Sequence, residues 1–198
     1  MTAIDNGKRL QPEKRREQLL VFGRELFANH AFDAVSMDEM ANMAGVSKGL
    51  LYHYFKGRRG FYLQTVRHVV EGCLQAMRAG EGKDDIAEIL RAFAKYCNEN
   101  AGMYKLIIRG GIGADVEVQA ETNRVREYFV SQVLTSEQKK KAKPLEKIAL
   151  SGWIAFIESA TAEWIEQPSI SCNKFVELLL AFLATITSND GKKYNLAI

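Results

Sequence analysis

Residues 36–55 read SMDEMANMAGVSKGLLYHYF, and this stretch decides the fold. Ser36 precedes a short apolar-periodic run, with Glu39 three residues later, the pattern of a reciprocal cap that opens a helix. That helix ends at Ala44, because Gly45 readily adopts positive φ and supplies a turn. Ser47 then caps another helix reaching about Phe55. Ala41 keeps the helix crossing small, and Met40, Ala44, Val46, Leu51 and Phe55 provide the inward side of the pair. Lys48, Gly49, Leu50, His53 and Tyr54 are left on the outward side, with no acid among them. Two short helices joined this way form a helix-turn-helix, whose second helix lies in the major groove of DNA.

The neighbouring sequence fits that reading. Over residues 12–29, Leu19, Phe22, Leu26 and Phe27 recur at helical spacing opposite Arg15, Arg16 and Glu25, and Phe32 can close the resulting small core. After Gly57, a long helix is expected over residues 59–78. Beyond Gly80-Glu81-Gly82, five more helices are expected at 84–98, 101–109, 115–134, 145–167 and 172–188. Gly110, Gly111 and Gly113 punctuate the chain before the third of these. A lysine-rich loop is expected at 135–144 and a frayed tail at 189–198. Pro12, Pro144 and Pro168 all flank helical stretches, where a residue without an N–H is tolerated. The chain therefore reads as all-α with about nine helices. Residues 10–57 would be a three-helix DNA-binding domain, and 58–190 a helical bundle for effector binding and dimerisation.

Charge supports a polyanionic partner. The first sixty residues hold ten Lys and Arg against seven Asp and Glu, leaving seventeen of the 27 basic and seventeen of the 24 acidic residues for the rest. The net charge of +3 thus arises entirely in the N-terminal segment. Residues 40–70 contain no acid but carry Lys48, Lys56, Arg58, Arg59 and Arg67. Cys73, Cys97 and Cys172 are odd in number and widely spaced, which suits buried thiols in a reducing cytosol rather than disulfides or zinc ligands. The first fourteen residues lack an apolar signal core, and the apolar stretch 175–187 is short and interrupted by Glu177. A soluble, cytoplasmic protein without a membrane partner is expected. No nucleophile–base set, metal-ligand spacing or cofactor motif is evident, and Gly110–Gly113 lacks the Lys-Ser/Thr of a phosphate loop.

Phosphates are met by cations, hydroxyls and backbone N–H groups, a task suited to Ser36, Ser47, Lys48, Tyr52, Lys56 and Arg58. Base edges need donors, acceptors or apolar groups on the exposed first half of the recognition helix. Lys48, Leu50 and His53 are placed for this, and Gly49 would allow close backbone approach. The stretch from Arg15 to about Val66, above all AGVSKGLLYHYFKGRRGFYL at 44–63, resembles the DNA-binding domain of the TetR family of repressors. The resemblance implies an all-helical homodimer, with a fourth helix linking the three-helix domain to an effector-binding and dimerising body. Carried over by position, it implies DNA contacts at Ser47, Lys48, Gly49, Tyr52, His53 and Tyr54, with Arg58 standing where the family has a phosphate-contacting lysine. Leu50 replaces a common Thr, Gly57 replaces the usual Ser cap, and Tyr54 stands where His is frequent, so the operator sequence is left open.

In the body, Phe93, Tyr96, Met103, Tyr104, Ile107, Phe129, Trp153 and Phe156 are candidates for lining an effector site, with Glu158, Asn98, Arg109 and Asn123 as orienting polar groups. The last two long helices are apolar on more than one face, so they should be buried on more than one side. The resemblance implies that they pair with their symmetry mates. The expected function is that of a repressor released from a palindromic, double-stranded operator by a small apolar or aromatic effector. The rival readings are an effector-independent DNA binder of the same fold, or a helical hydrophobic-ligand carrier or enzyme.

Overall fold

The structure is a computed structural model that describes residues 11–80, 86–109, 115–134 and 136–187. The break at Glu81-Gly82, the helix start at Asp84, Gly110, Gly111, Gly113, Thr135 and the tail at 189–198 lie outside these residues. The described residues form ten α-helices and one 3₁₀ turn (Phe32–Ala34), with no strand. The helices are α1 (Pro12–Asn29), α2 (Met37–Ala44), α3 (Lys48–Phe55), α4 (Arg58–Ala79), α5 (Ile86–Glu99), α6 (Ala101–Arg109), α7 (Val116–Val133), α8 (Ser136–Lys141), α9 (Pro144–Trp164) and α10 (Cys172–Thr187). The fold class is therefore all-α. The short α8 occupies part of the stretch read from sequence as a loop; its SEQKKK has good helix formers but is too short to show a period.

Two compact units divide the chain, one containing residues 1–71 and 100–121 and the other residues 72–99 and 122–198. The long helices α4 and α7 each contribute to both. In the first unit, α1 buries Leu19, Leu20, Phe22, Leu26 and Phe27. Its Gly23 faces α4, where a Cβ would lie 2.5 Å from Thr65 Oγ1 and 2.8 Å from the Phe61 ring, so only glycine permits this approach. Phe27 meets Tyr62 edge-on at 5.1 Å, and Phe55 packs on Phe61 at 4.6 Å, giving α1, α3 and α4 a shared aromatic core. Phe32 joins it through Tyr62 at 5.2 Å. Helix α6 belongs to this unit. Its Gly102 sits against Ala28 of α1 where a side chain would overlap, and Arg24 donates to Asn100 Oδ1 at 2.9 Å. Arg59 binds Asp115 at 3.0 Å and also Glu117, while Arg67 binds Glu121 at 2.7 Å, tying α4 to the start of α7.

The core of the second unit is an edge-to-face chain of Phe93, Phe129 and Trp153, with centroid spacings of 5.1 and 6.1 Å. Trp153 also donates its indole N–H to the Leu179 carbonyl at 3.1 Å. The α9–α10 corner is closed by Trp164, which stacks on Phe175 at 4.7 Å and donates to the Ile170 carbonyl at 2.9 Å. Cys73 and Cys97 are buried free thiols, and burial pushes Cys97 well above the usual thiol range. Among the described residues no helix is long and apolar enough to cross a membrane.

Candidate nucleic-acid interface

Helix α2 starts at Ser36, whose hydroxyl accepts the Glu39 N–H at 3.3 Å while the Glu39 carboxylate accepts the Ser36 N–H at 2.8 Å. The Ser36 hydroxyl also donates to Glu39 at 2.7 Å. These bonds from Ser36 hold the Glu39 carboxyl below its ordinary range. Ser36 is exposed, but its hydroxyl proton is committed to this capping box. Gly45 adopts φ 67° and ψ 28° and returns its N–H to the end of α2, a left-handed stop that a Cβ would strain. Ser47 caps α3 by accepting the Leu50 N–H at 3.1 Å.

Helix α3 then has two distinct sides. Leu51 and Phe55 are buried, at 0% and 1% exposure, together with Met40, Ala41 and Ala44 of α2. Ser47, Lys48, Gly49, Tyr52, His53 and Lys56 are exposed, and Leu50, Tyr54 and Arg58 are half-buried. Tyr54 packs edge-on against His53 at 5.3 Å, whereas Tyr52 stands 44% exposed. A Cβ at Gly49 would meet only the Ser47 hydroxyl oxygen, at an unstrained 4.0 Å, so nothing within the chain requires glycine there. Lys56 ends α3 at φ 60°, a left-handed conformation unusual for a side-chain-bearing residue, followed by Gly57 at φ 124°. Gly60, in the first turn of α4, lets that helix pass close to the end of α3, where a Cβ would overlap the Phe55 carbonyl oxygen. Sequence reasoning had not singled out that glycine.

The acid-free run along the chain is not an acid-free surface in space. Lys48 Nζ lies 2.7 Å from Asp38 of α2, and this hydrogen bond raises the lysine pKa. Arg58 lies 2.9 Å from Asp33 and stacks over the Phe32 ring at 4.8 Å. Arg59, expected in the basic patch, is turned toward Asp115 and Glu117. Lys48 and Arg58 thus have carboxylate partners in the free protein, which the sequence pattern did not reveal.

The structure does not gather the eight effector candidates into one lining. Met103, Tyr104 and Ile107 are buried in α6 of the first unit. Phe93, Phe129 and Trp153 are closed core of the second unit, Tyr96 lies against Gly72, and Phe156 stacks on Phe182 at 4.0 Å. Helical spacing finds apolar residues but cannot tell a packed side chain from one facing a gap. The second unit has a cavity of about 470 Å³ elsewhere, between α7 and α9. Its apolar lining includes Val130, Leu134, Leu150 and Ile154, and Asn123 and the Arg126–Glu158 pair, joined at 2.7 Å, supply polar groups. A groove in the first unit is lined by Phe27, His30, Gly102, Lys105 and Arg109 among others. Asn98, the remaining polar candidate, is an exposed residue of α5. No group of three or more potential metal ligands occurs among the described residues.

Known proteins share this architecture. Residues 19–65 match the family model described as "Bacterial regulatory proteins, tetR family", and residues 83–186, over half the chain, match "Tetracyclin repressor-like, C-terminal domain". The HTH-type transcriptional activator FasR of Mycolicibacterium smegmatis is 33% identical over 120 residues, which are 58% of this chain and 55% of that protein, so the match spans only about half of its length. The HTH-type transcriptional repressor KstR2 of the same species is 31% identical over 61 residues, 31% of this chain and 30% of that protein. A TetR-family transcriptional regulator from Streptomyces coelicolor has the same fold, with a TM-score of 0.71 at 24% identity over 91% of this chain and 85% of its own. The two-sided recognition helix and these matches agree: the chain belongs to the TetR family of DNA-binding transcriptional regulators.

Proposed function

We propose that this protein is a homodimeric repressor that occupies a palindromic operator in the cytoplasm and leaves it when a small, largely apolar effector binds. The observation carrying the proposal is helix α3. It is anchored by Leu51 and Phe55 and capped by Ser47, and it presents Lys48, Gly49, Tyr52 and His53 outward. In this reading, residues 10–57 read DNA and 58–190 carry dimer and effector functions. Lys48, Leu50 and His53 face base edges, and the open Cβ direction of Gly49 lets the helix backbone come close. Ser47, Tyr52, Tyr54, Lys56 and Arg58 meet phosphates, with Ser36 contributing through the α2 cap.

Helices α9 and α10 supply the proposed dimer face. Their inward residues Trp153, Ile154, Ile157, Phe175 and Leu179 are buried, yet Ile148, Leu178 and Phe182 remain 67%, 46% and 47% exposed. Pairing across a two-fold axis buries them and sets two recognition helices about one duplex turn apart, roughly 34–36 Å. The α7–α9 cavity is the proposed effector site, with its aliphatic lining supplying affinity and Asn123, Arg126 and Glu158 orienting the ligand. Phe129 and Trp153 are adjacent in sequence to the lining residues Val130 and Ile154 and belong to the packed core of the same unit. An effector releases DNA only to the extent that it binds the released state more tightly.

Selection of duplexes from a random pool, followed by gel-shift titration, tests the DNA assignment. A palindromic consensus bound by two chains is expected, with Lys48→Ala and Tyr52→Ala each weakening binding. Absence of any retarded duplex at low salt refutes the proposal. Transcription from a promoter overlapping the selected site gives the sign. Repression needs only occupancy and predicts less transcript, whereas more transcript would align the protein with FasR, which is named as an activator.

A further inference from the structure

The cations that open α3 and α4 share an arrangement that DNA binding does not require. Each is paired with an aspartate from an earlier segment, Lys48 with one in α2 and Arg58 with one in the 3₁₀ turn before α2. Lys48 Nζ is 2.7 Å from Asp38 Oδ2, and Arg58 Nη2 is 2.9 Å from Asp33 Oδ1. The aspartate side chains are 63% and 83% exposed, so they stand in solvent beside the cations rather than beneath them. Whatever Lys48 touches on a nucleic acid must therefore come within a few ångströms of a carboxylate, which repels phosphate. Pairs this exposed are weak and exchangeable, so a phosphate or base edge can displace the carboxylate, but it must compete to do so.

We propose that Asp38 and Asp33 are built-in counter-ions that hold Lys48 and Arg58 away from non-cognate phosphate, lowering non-specific DNA affinity more than operator affinity. This inference rests on α3 being the DNA-reading helix and adds to that reading a determinant of discrimination. Non-specific binding consists almost entirely of cation–phosphate contacts, each displacing counterions and each adding to the salt dependence. A lysine already neutralised by a neighbour contributes less to that term, and the carboxylate left behind adds repulsion. In the operator complex, direct base contacts by the same helix offset the loss, so the internal pair acts as a filter. Asp38 and Asp33 act through the cations and are positioning residues.

The test titrates wild type, Asp38→Asn and Asp33→Asn against the selected operator and a random-sequence duplex over a range of salt concentrations. Asp38→Asn should bind the random duplex about three- to tenfold more tightly and steepen its log–log salt slope by up to about 0.9, the value for one additional phosphate contact. Operator affinity should change less, so the ratio of the two falls. Asp38→Glu should restore the wild-type slope, and when Lys48 is already Ala, Asp38→Asn should have a smaller effect, since only the carboxylate's own repulsion of phosphate is then removed. Asp33→Asn gives an independent reading through Arg58. Unchanged random-duplex affinity and slope in both Asn variants overturns the inference while leaving the DNA-binding reading intact. Equal loss on both duplexes does the same, since it would mark the aspartates as structural only. Failure of wild type to bind either duplex overturns both.

Discussion

Replacing Ile148 with Asp tests the proposed dimer where its energetics can be worked from exposure. Complete burial of an Ile, Leu or Phe side chain is favourable by about 1.5–3 kcal/mol. Ile148 is 67% exposed in the single chain, so about 1–2 kcal/mol remains to be gained there on association. Leu178 and Phe182, at 46% and 47%, each hold about 1 kcal/mol more. A two-fold interface counts every residue twice, which gives about 6–8 kcal/mol from these three positions before the cost of association. Gly152 reinforces the face. One turn beyond Ile148, it has nothing within 4 Å of where a Cβ would stand, so a partner helix can approach closely. Ile148→Asp removes about 2–4 kcal/mol of apolar burial per dimer and places two carboxylates in the apolar patch. The dimer dissociation constant should rise at least about a hundredfold. Sedimentation equilibrium over a range of concentrations measures this directly. Circular dichroism should show unchanged helix content, because Ile148 contributes little to the single-chain core. A folded Ile148→Asp variant with the wild-type dimer constant would refute the assignment of this face.

Three other outcomes follow from the first unit. Leu51→Ala removes a side chain at 0% exposure beneath the recognition helix and should lower stability by about 2–5 kcal/mol in denaturant titration. Gly45→Ala forces a Cβ into the left-handed turn at φ 67° and should cost about 1–2 kcal/mol, read as a lower melting temperature with DNA binding reduced in proportion. Tyr62 is a buried phenol, pushed up to about 12 by burial and then by the charge of Asp115, and its hydroxyl has no partner among the described residues. The unfolded phenol ionises near 10 while the folded one keeps its proton, so stability should fall as pH rises from about 10 toward 12. Tyr62→Phe should abolish that decline, as followed by urea titration at several pH values.

Features of the fold and site that depend on neighbours three or four residues apart were legible in the sequence. The Ser36–Glu39 cap, the Gly45 turn, the Ser47 cap and the burial of Leu51 and Phe55 are all encoded at helical spacing, and each is in place. Five of the six helices described after residue 80 were also visible, since long amphipathic or apolar runs suit no other element; the short α8 was not. Features that depend on which helices meet were not legible. Gly102 reads as an ordinary glycine until Ala28 of α1 is found against it, a close approach that lets α6 pack on α1 in the first unit. The aromatic effector candidates illustrate the same limit, because edge-to-face packing uses the residues that a ligand pocket would use.

The charges at the recognition surface show the limit most clearly. Asp38 and Lys48 are ten residues apart, and Asp33 and Arg58 twenty-five apart, so no periodicity links them. They meet because the Gly45 turn folds α3 back beside α2, and because the left-handed turn at Lys56 and Gly57 sets the start of α4 beside the 3₁₀ segment. The turns that leave the outer side of α3 exposed therefore also deliver two carboxylates, one to Lys48 at the start of α3 and one to Arg58 at the start of α4. In the proposed reading, a helix-turn-helix tight enough to read a groove brings the exposed Asp38 of α2 within 2.7 Å of the Lys48 that opens α3. Removing the acids, rather than adding bases, is consequently the direct way to ask how much of the affinity is indiscriminate.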